Sequence, residues 1–81
     1  MYNVYVLKDD DGKLYKGLTN NLARRLRDHQ HGKTITTSRM RNPKLVYSET
    51  FGKFDEARER ELYFKTAAGR RYLKKKLEMV V

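Results

Sequence analysis

Tyr2-Asn3-Val4-Tyr5-Val6-Leu7-Lys8, then Asp9-Asp10-Asp11-Gly12, then Lys13-Leu14-Tyr15-Lys16-Gly17-Leu18: two runs of β-forming residues are joined by a turn signal. Gly12 can take a positive φ at no steric cost. A loop of Asp10, Asp11 and Gly12 suits a hairpin with a glycine bulge. That loop sets Asp9 opposite Lys13 and Tyr5 opposite Gly17. Tyr15 then lies diagonal to Tyr5 on the same sheet face, roughly 7–8 Å away between backbones. A slip of one residue would send the two tyrosines to opposite faces.

Beyond the hairpin, Thr19-Asn20-Asn21 offers helix N-caps and Gly32 a stop. Between them Leu22, Arg25, Leu26 and His29 fit the i, i+3, i+4, i+7 spacing of one helix face. Residues 33–42 read as a loop ending at Asn42-Pro43, because the residue before proline avoids helix. Residues 45–50 read as a third strand. Asp55 is expected to cap a second helix running to about Ala68, Gly69 to interrupt it, and residues 70–78 to form a short basic helix with Leu73 and Leu77 one turn apart. The order β-β-α-β-α-α over 1–81 predicts one α+β domain: a small three-stranded, at least partly antiparallel sheet flanked by helices.

Eighty-one residues are enough for a single domain with a thin core. With no cysteine, neither disulfides nor a zinc–thiolate site can brace it. No apolar stretch approaches 18 residues and no basic-then-apolar leader opens the chain, so neither a membrane partner nor a secretory signal is expected, and a cytoplasmic location is. Nineteen Lys and Arg against ten Asp and Glu leave a formal charge of +9, which favours a polyanionic partner, nucleic acid first. The excess is uneven. Residues 33–44, with Lys33, Arg39 and Arg41, hold no acid; nor do residues 65–76, with Lys65, Arg70, Arg71 and Lys74. These runs are the candidate phosphate contacts, against the plainer reading of a solubilising surface.

The second helix carries an anomaly. At about 100° per residue, Phe54, Ala57, Phe64 and Ala68 share one narrow arc, and Glu61 falls inside it. A carboxylate in an apolar stripe must be paired, hydrogen-bonded or bound to a metal. A buried ion pair with an arginine is the structural alternative. On the first helix Arg25 and His29 border the Leu22–Leu26 stripe and point toward the sheet margin, whereas Arg24 and Arg27 lie off that face. Arginine can clamp a phosphate with its planar fork, and histidine titrates near neutrality. Taken singly, each of these side chains, and Tyr5 and Tyr15 too, reads as packing. Together they supply hydroxyls, a cation, a titratable ring and a metal ligand, which is a plausible set for phosphodiester hydrolysis.

Asn3-Val4-Tyr5, Tyr15-Lys16-Gly17, the run Leu18-Thr19-Asn20-Asn21-Leu22-Ala23-Arg24-Arg25-Leu26 with His29, and Asp55-Glu56-Ala57-Arg58-Glu59-Arg60-Glu61 resemble the GIY-YIG nuclease family. Gly69-Arg70-Arg71-Tyr72-Leu73-Lys74 resembles the tail of its small stand-alone bacterial members. The set is also similar to the N-terminal nuclease domain of the bacterial excinuclease C subunit, a DNA-repair enzyme. The resemblance implies roles. Tyr5 would be the general base or water-positioning group of the first motif, and Tyr15 the tyrosine of the second. Gly17 would leave space beside Tyr5, Arg25 would stabilise charge on the phosphate, and His29 would be the histidine one turn later. Glu61 would bind a single divalent metal, Mg²⁺ or Mn²⁺. The departures are Asn3 and Val4 for the glycine and isoleucine of the first motif, and Lys16 for the isoleucine of the second. No asparagine follows Asn42, where some members place one after the glutamate.

The expectation is thus a metal-dependent endonuclease acting on DNA, with no small-molecule cofactor and with targeting supplied by a partner protein. Tyr5, Tyr15, Arg25, His29 and Glu61 should line one concave surface, with Lys16 adding a charge nearby. The alternative is a catalytically weak or inactive copy that serves as a nucleic-acid-binding module.

Overall fold

A computed structural model describes residues 1–31 and 39–79, the side chain of Met79 excepted. Gly32, the expected helix stop, and Lys33, an expected phosphate contact, lie outside the described residues. The element order is β1 (Tyr2–Lys8), β2 (Leu14–Thr19), α1 (Leu22–Gln30), β3 (Lys44–Phe51), α2 (Phe54–Phe64) and α3 (Ala67–Met79). The domain is α+β as expected, with the sheet fully antiparallel.

The hairpin forms in the expected register. Tyr5 pairs with Gly17 and Leu7 with Tyr15. Asp9 N–H donates to the Lys13 carbonyl at 3.0 Å, and Gly12 turns the chain at φ +85°. The Asp9 carboxylate fixes the turn by accepting the N–H groups of Asp11 at 3.0 Å and Lys13 at 2.7 Å. It also accepts the N–H of Arg41 at 3.4 Å, which ties the hairpin to the approach to β3. Asn42, just before Pro43, adopts φ +53°, a left-handed conformation that asparagine tolerates better than most residues.

β1 lies between β2 and β3, so its alternation defines two faces. Val4 and Val6 point one way and are fully buried with Ala57, Phe64 and Leu73 from α2 and α3. Tyr5 and Leu7 point the other way and are equally buried. Leu26 and His29 of α1 share a small cavity lining with Leu7 and Leu45, which places α1 on this second face. The order is therefore α1, sheet, α2 with α3.

β3 is locked to the second helix layer by a polar cluster. Arg60 donates to the Glu49 carboxylate at 2.8 and 3.1 Å, and Tyr47 donates to the same carboxylate. The Arg60 guanidinium also lies 4.8 Å from the Phe64 and Tyr72 ring centres. Burial works against ionisation of Glu49, but the Arg60 and Tyr47 hydrogen bonds hold its carboxyl below the usual range.

The helix boundaries differ from expectation. α2 starts at Phe54, with Lys53 at the cap position and no side-chain cap; Asp55 sits in the first turn. It stops at Phe64, not near Ala68. Gly69 does not interrupt a helix: it lies in the first turn of α3. The break is at Lys65-Thr66, where the Thr66 hydroxyl donates to the Tyr63 carbonyl at 2.6 Å and accepts the Gly69 N–H at 3.1 Å. Thr66 thus caps α3 through its third N–H. Phe54 is 49% exposed and Ala68 is exposed, so the buried arc of α2 narrows to Ala57, Glu61 and Phe64. Among the described residues, no helix is long and apolar enough to cross a membrane.

Candidate active site

The α1 face of the sheet collects four of the five candidate groups. Strand alternation brings Tyr5 and Tyr15 to that face, with ring centres 6.1 Å apart. Asn21 starts α1 by accepting the Arg24 N–H on its side chain at 3.1 Å. Two turns later the helix delivers His29 onto both tyrosines, its ring centre 5.7 Å from that of Tyr5 and 5.0 Å from that of Tyr15. The Tyr5 hydroxyl and His29 Nε2 are 2.8 Å apart. His29 is 3% exposed, far deeper than the sheet margin that helical spacing alone indicated.

Space for this arrangement comes from Gly17. A Cβ there would lie 2.5 Å from both Cζ and the hydroxyl oxygen of Tyr5. The Tyr5 ring lies between Tyr15 and His29, so it can yield only by leaving these contacts. Gly17→Ala is therefore expected to push Tyr5 off His29 and to cost about 1–3 kcal/mol, as overpacking does. Chemical denaturation would show the loss of stability, and the His29 ring resonances would show the broken contact. An alanine variant with wild-type stability and unshifted His29 resonances would refute the close approach.

Electrostatics separate the two titratable partners. Burial pushes the Tyr5 phenol well above its ordinary value, and Tyr15 adds to this, while the Arg25 guanidinium beside it pulls the other way. Burial lowers His29, and Arg25 lowers it further, against an opposing push from Asp28. Near neutral pH the pair is thus a protonated phenol and a neutral imidazole. In the tautomer that leaves Nε2 unprotonated, the hydroxyl donates to it across 2.8 Å.

Arg25 is half-exposed, with its guanidinium 4.0 Å from Asp28. It borders a cavity of about 400 Å³ that is also lined by Asn21, Arg24, Tyr2 and Phe54. Arg24 was placed off this face by helical spacing, yet it lines the same cavity. Tyr2 and Phe54, in edge-to-face contact at 5.5 Å, were not read as site residues from sequence, which placed Phe54 in the apolar arc of the second helix. Their signal was available: an aromatic at a strand start and another at a helix start, the second left largely exposed.

Glu61 enters from the other layer. It shares the buried arc of α2 with Ala57 and Phe64, on the Val4/Val6 side, and is 7% exposed. Glu61 thus belongs to the helix layer opposite that of His29 and Arg25, on a helix, α2, that also packs against the edge strand β2. The Glu61 carboxylate accepts Arg58 at 2.9 Å and Lys65 at 3.5 Å. Arg58 lies one turn before Glu61 and Lys65 one turn after it, and both are about half exposed, at 52% and 51%. Water can therefore take either one, which leaves a nearly buried carboxylate open to a different cation. Among the described residues no group of three or more His, Cys, Asp or Glu is gathered for a metal. A lone carboxylate fits Mg²⁺ or Mn²⁺, since Mg²⁺ keeps several waters and takes other ligands from substrate phosphate.

The expected phosphate contacts are scattered. Lys16 is half-buried on the face opposite Tyr15, beside Lys65 and Arg70. Arg70 and Lys74 are exposed and line one groove with Lys16. Arg71 is exposed and does not line that groove. Arg39 is exposed, and Arg41 pairs with Asp11 at 3.5 Å.

Residues 1–76 match the model of the GIY-YIG catalytic domain. A UPF0213 protein of Bacillus licheniformis is 43% identical over 76 residues, which cover 89% of this chain and 78% of that protein. A UPF0213 protein of Clostridium perfringens is 47% identical over 66 residues, covering 80% and 71%. The solution structure of a UPF0213 protein from Bacillus halodurans superimposes with a TM-score of 0.57 at 30% identity, covering 93% of this chain and 84% of that one.

Proposed function

The chain belongs to the GIY-YIG catalytic-domain family, and on that footing we propose that it is a divalent-metal-dependent endonuclease that hydrolyses DNA phosphodiester bonds. The carrying observation is the Tyr5 hydroxyl set 2.8 Å from His29 Nε2, with Arg25 beside it. Arg25 binds the phosphate and opposes the negative charge that builds as a nucleophile attacks. Tyr5 orients the attacking water, or gives up its own proton to His29 Nε2 as it takes one from that water. Tyr15 buttresses both rings. Glu61 would hold Mg²⁺ or Mn²⁺, which would supply positive charge against the negative charge that builds on the phosphate. The +9 charge supplies the attraction to DNA. A cytoplasmic location and a targeting partner belong to the same reading.

The test is cleavage of several DNA structures with and without Mg²⁺ or Mn²⁺, measured across pH. Cleavage must require the metal; metal-independent binding without cleavage would leave only a nucleic-acid-binding module. The expected pH dependence follows from His29. Its imidazole accepts only when neutral, so the rate should climb as pH rises through a midpoint below about 6.5, the unperturbed histidine value. The same depressed value gives a stability sign. The unfolded chain protonates this histidine at higher pH than the folded one, so stability falls as pH drops below about 6.5. His29→Asn should erase the acid limb. A limb that persists in that variant would assign it to another group.

A further inference from the structure

Strand alternation gives the edge strand β2 two chemistries. Tyr15 points to the face of Tyr5 and His29. Lys16, its neighbour in sequence, pairs with Val6 and points to the face of α2 and α3. There it meets a groove of about 490 Å³ between the hairpin and α3. Lys8, Lys16, Arg70 and Lys74 ring this groove, and Leu14 and Leu77 supply apolar lining. Among the described residues, Glu78 is the only acid that lines it. The ammonium of Lys16 is held below its usual range by burial, then by Arg70 and Lys65 beside it. Lys65 in turn lies 3.5 Å from Glu61. Lys65 and Lys16 thus link the Glu61 position to the groove cations Arg70 and Lys74, on the face of β2 opposite Tyr15.

We infer that a bound polynucleotide does not stay on the Tyr5 face but bends round the β2 edge, with the phosphates beyond the Glu61 position held in the groove by Lys16, Arg70 and Lys74. Charge complementarity selects the occupant. A phosphate every few ångströms matches cations spaced along a groove, and sugars can lie against Leu14 and Leu77. The inference rests on DNA as the substrate of the proposed nuclease, and it adds the path the strand takes.

The experiment measures binding of a fluorescent DNA oligonucleotide over a salt series in EDTA, so no cleavage enters. Arg70→Gln/Lys74→Gln removes two exposed groove cations. Lys53→Gln/Lys75→Gln removes the same charge elsewhere, since neither of those lysines lines the groove. On duplex DNA each lost phosphate contact flattens the log–log salt slope by about 0.9, hence by about 1.8 for the groove variant, with affinity down roughly tenfold or more at about 0.1 M salt. The Lys53/Lys75 variant should keep the wild-type slope within one contact. Equal flattening in both variants would overturn the groove in favour of net charge alone. An unchanged slope in the groove variant would overturn it outright. Displacement of the DNA by polyglutamate at equal charge concentration, lost in the groove variant, would overturn the polynucleotide and assign the groove to an acidic protein. Failure of the nuclease reading appears separately, as wild-type protein that binds with the full slope and cuts nothing in Mg²⁺ or Mn²⁺.

Discussion

Gly69→Ala should destabilise the domain more than any other single methyl addition. A Cβ on Gly69 would lie 1.9 Å from the Tyr63 carbonyl oxygen, and 2.6 and 2.7 Å from the Tyr63 carbonyl carbon and the Phe64 Cα. All three are backbone atoms, so no side chain can turn aside. The last turn of α2 and the first of α3 must separate. That separation breaks the Thr66 relay, which uses the same Tyr63 carbonyl and the Gly69 N–H. It also pulls apart the contact between Phe64 and Tyr72, stacked at 6.1 Å. Alanine recovers up to about 1 kcal/mol of helix propensity over glycine, whereas overpacking costs about 1–3 kcal/mol or more against immovable atoms. The clash wins by roughly 2 kcal/mol, a drop of about 8–16 °C in melting temperature for a domain this size. Thermal melts of Gly69→Ala check it. A melting temperature at or above wild type would mean that the two helices are not in contact at this point.

Gly69 also shows where the sequence stops being informative. A glycine in a helical pattern reads as an interruption, because its cost to a helix is local and visible. Its use here is set by the backbone of Tyr63, six residues back, across a corner no periodicity records. The α2–α3 break is hidden for the same reason: Ala68 continues the spacing of Ala57 and Phe64, so the stripe runs straight over Thr66. Local signals fared better. The Asp-Asp-Asp-Gly turn fixes the hairpin register, and the register alone puts Tyr5 over Gly17 and beside Tyr15. Helical spacing likewise singles out Glu61. What spacing cannot supply is the layer. It says that Glu61 and His29 both turn inward, but not that their helices lie on opposite faces of the sheet. Nor does it bring Glu49 of β3 to Arg60 of α2, which only the completed sheet does.

The layer changes what Glu61→Gln should do. From sequence, removing a carboxylate from an apolar stripe carries two costs, lost metal and an orphaned buried cation. For a fully buried pair the second would be about 3–5 kcal/mol. Here both partners, Arg58 and Lys65, are about half exposed and can turn into water. Glutamine keeps the size of the side chain and still accepts hydrogen bonds. The stability cost should therefore fall in the range of exposed pairs, about 0–1 kcal/mol, and Glu61→Gln should melt close to wild type. Its cleavage should collapse. Loss of the metal forfeits several kcal/mol of charge stabilisation in the transition state, and about 4 kcal/mol is roughly a thousandfold in rate. DNA affinity in EDTA should stay level or rise, because a negative charge near phosphate is gone. Arg25→Ala should behave differently. It removes a charge-assisted hydrogen bond worth about 1.5–3 kcal/mol, so both cleavage and binding should fall, by roughly ten- to a hundredfold. Melts, cleavage rates and metal-free binding on the two variants distinguish the roles. A Glu61→Gln protein that melts like wild type and still cuts at the wild-type rate with Mg²⁺ or Mn²⁺ would remove Glu61 from the metal site, and with it the mechanism proposed here.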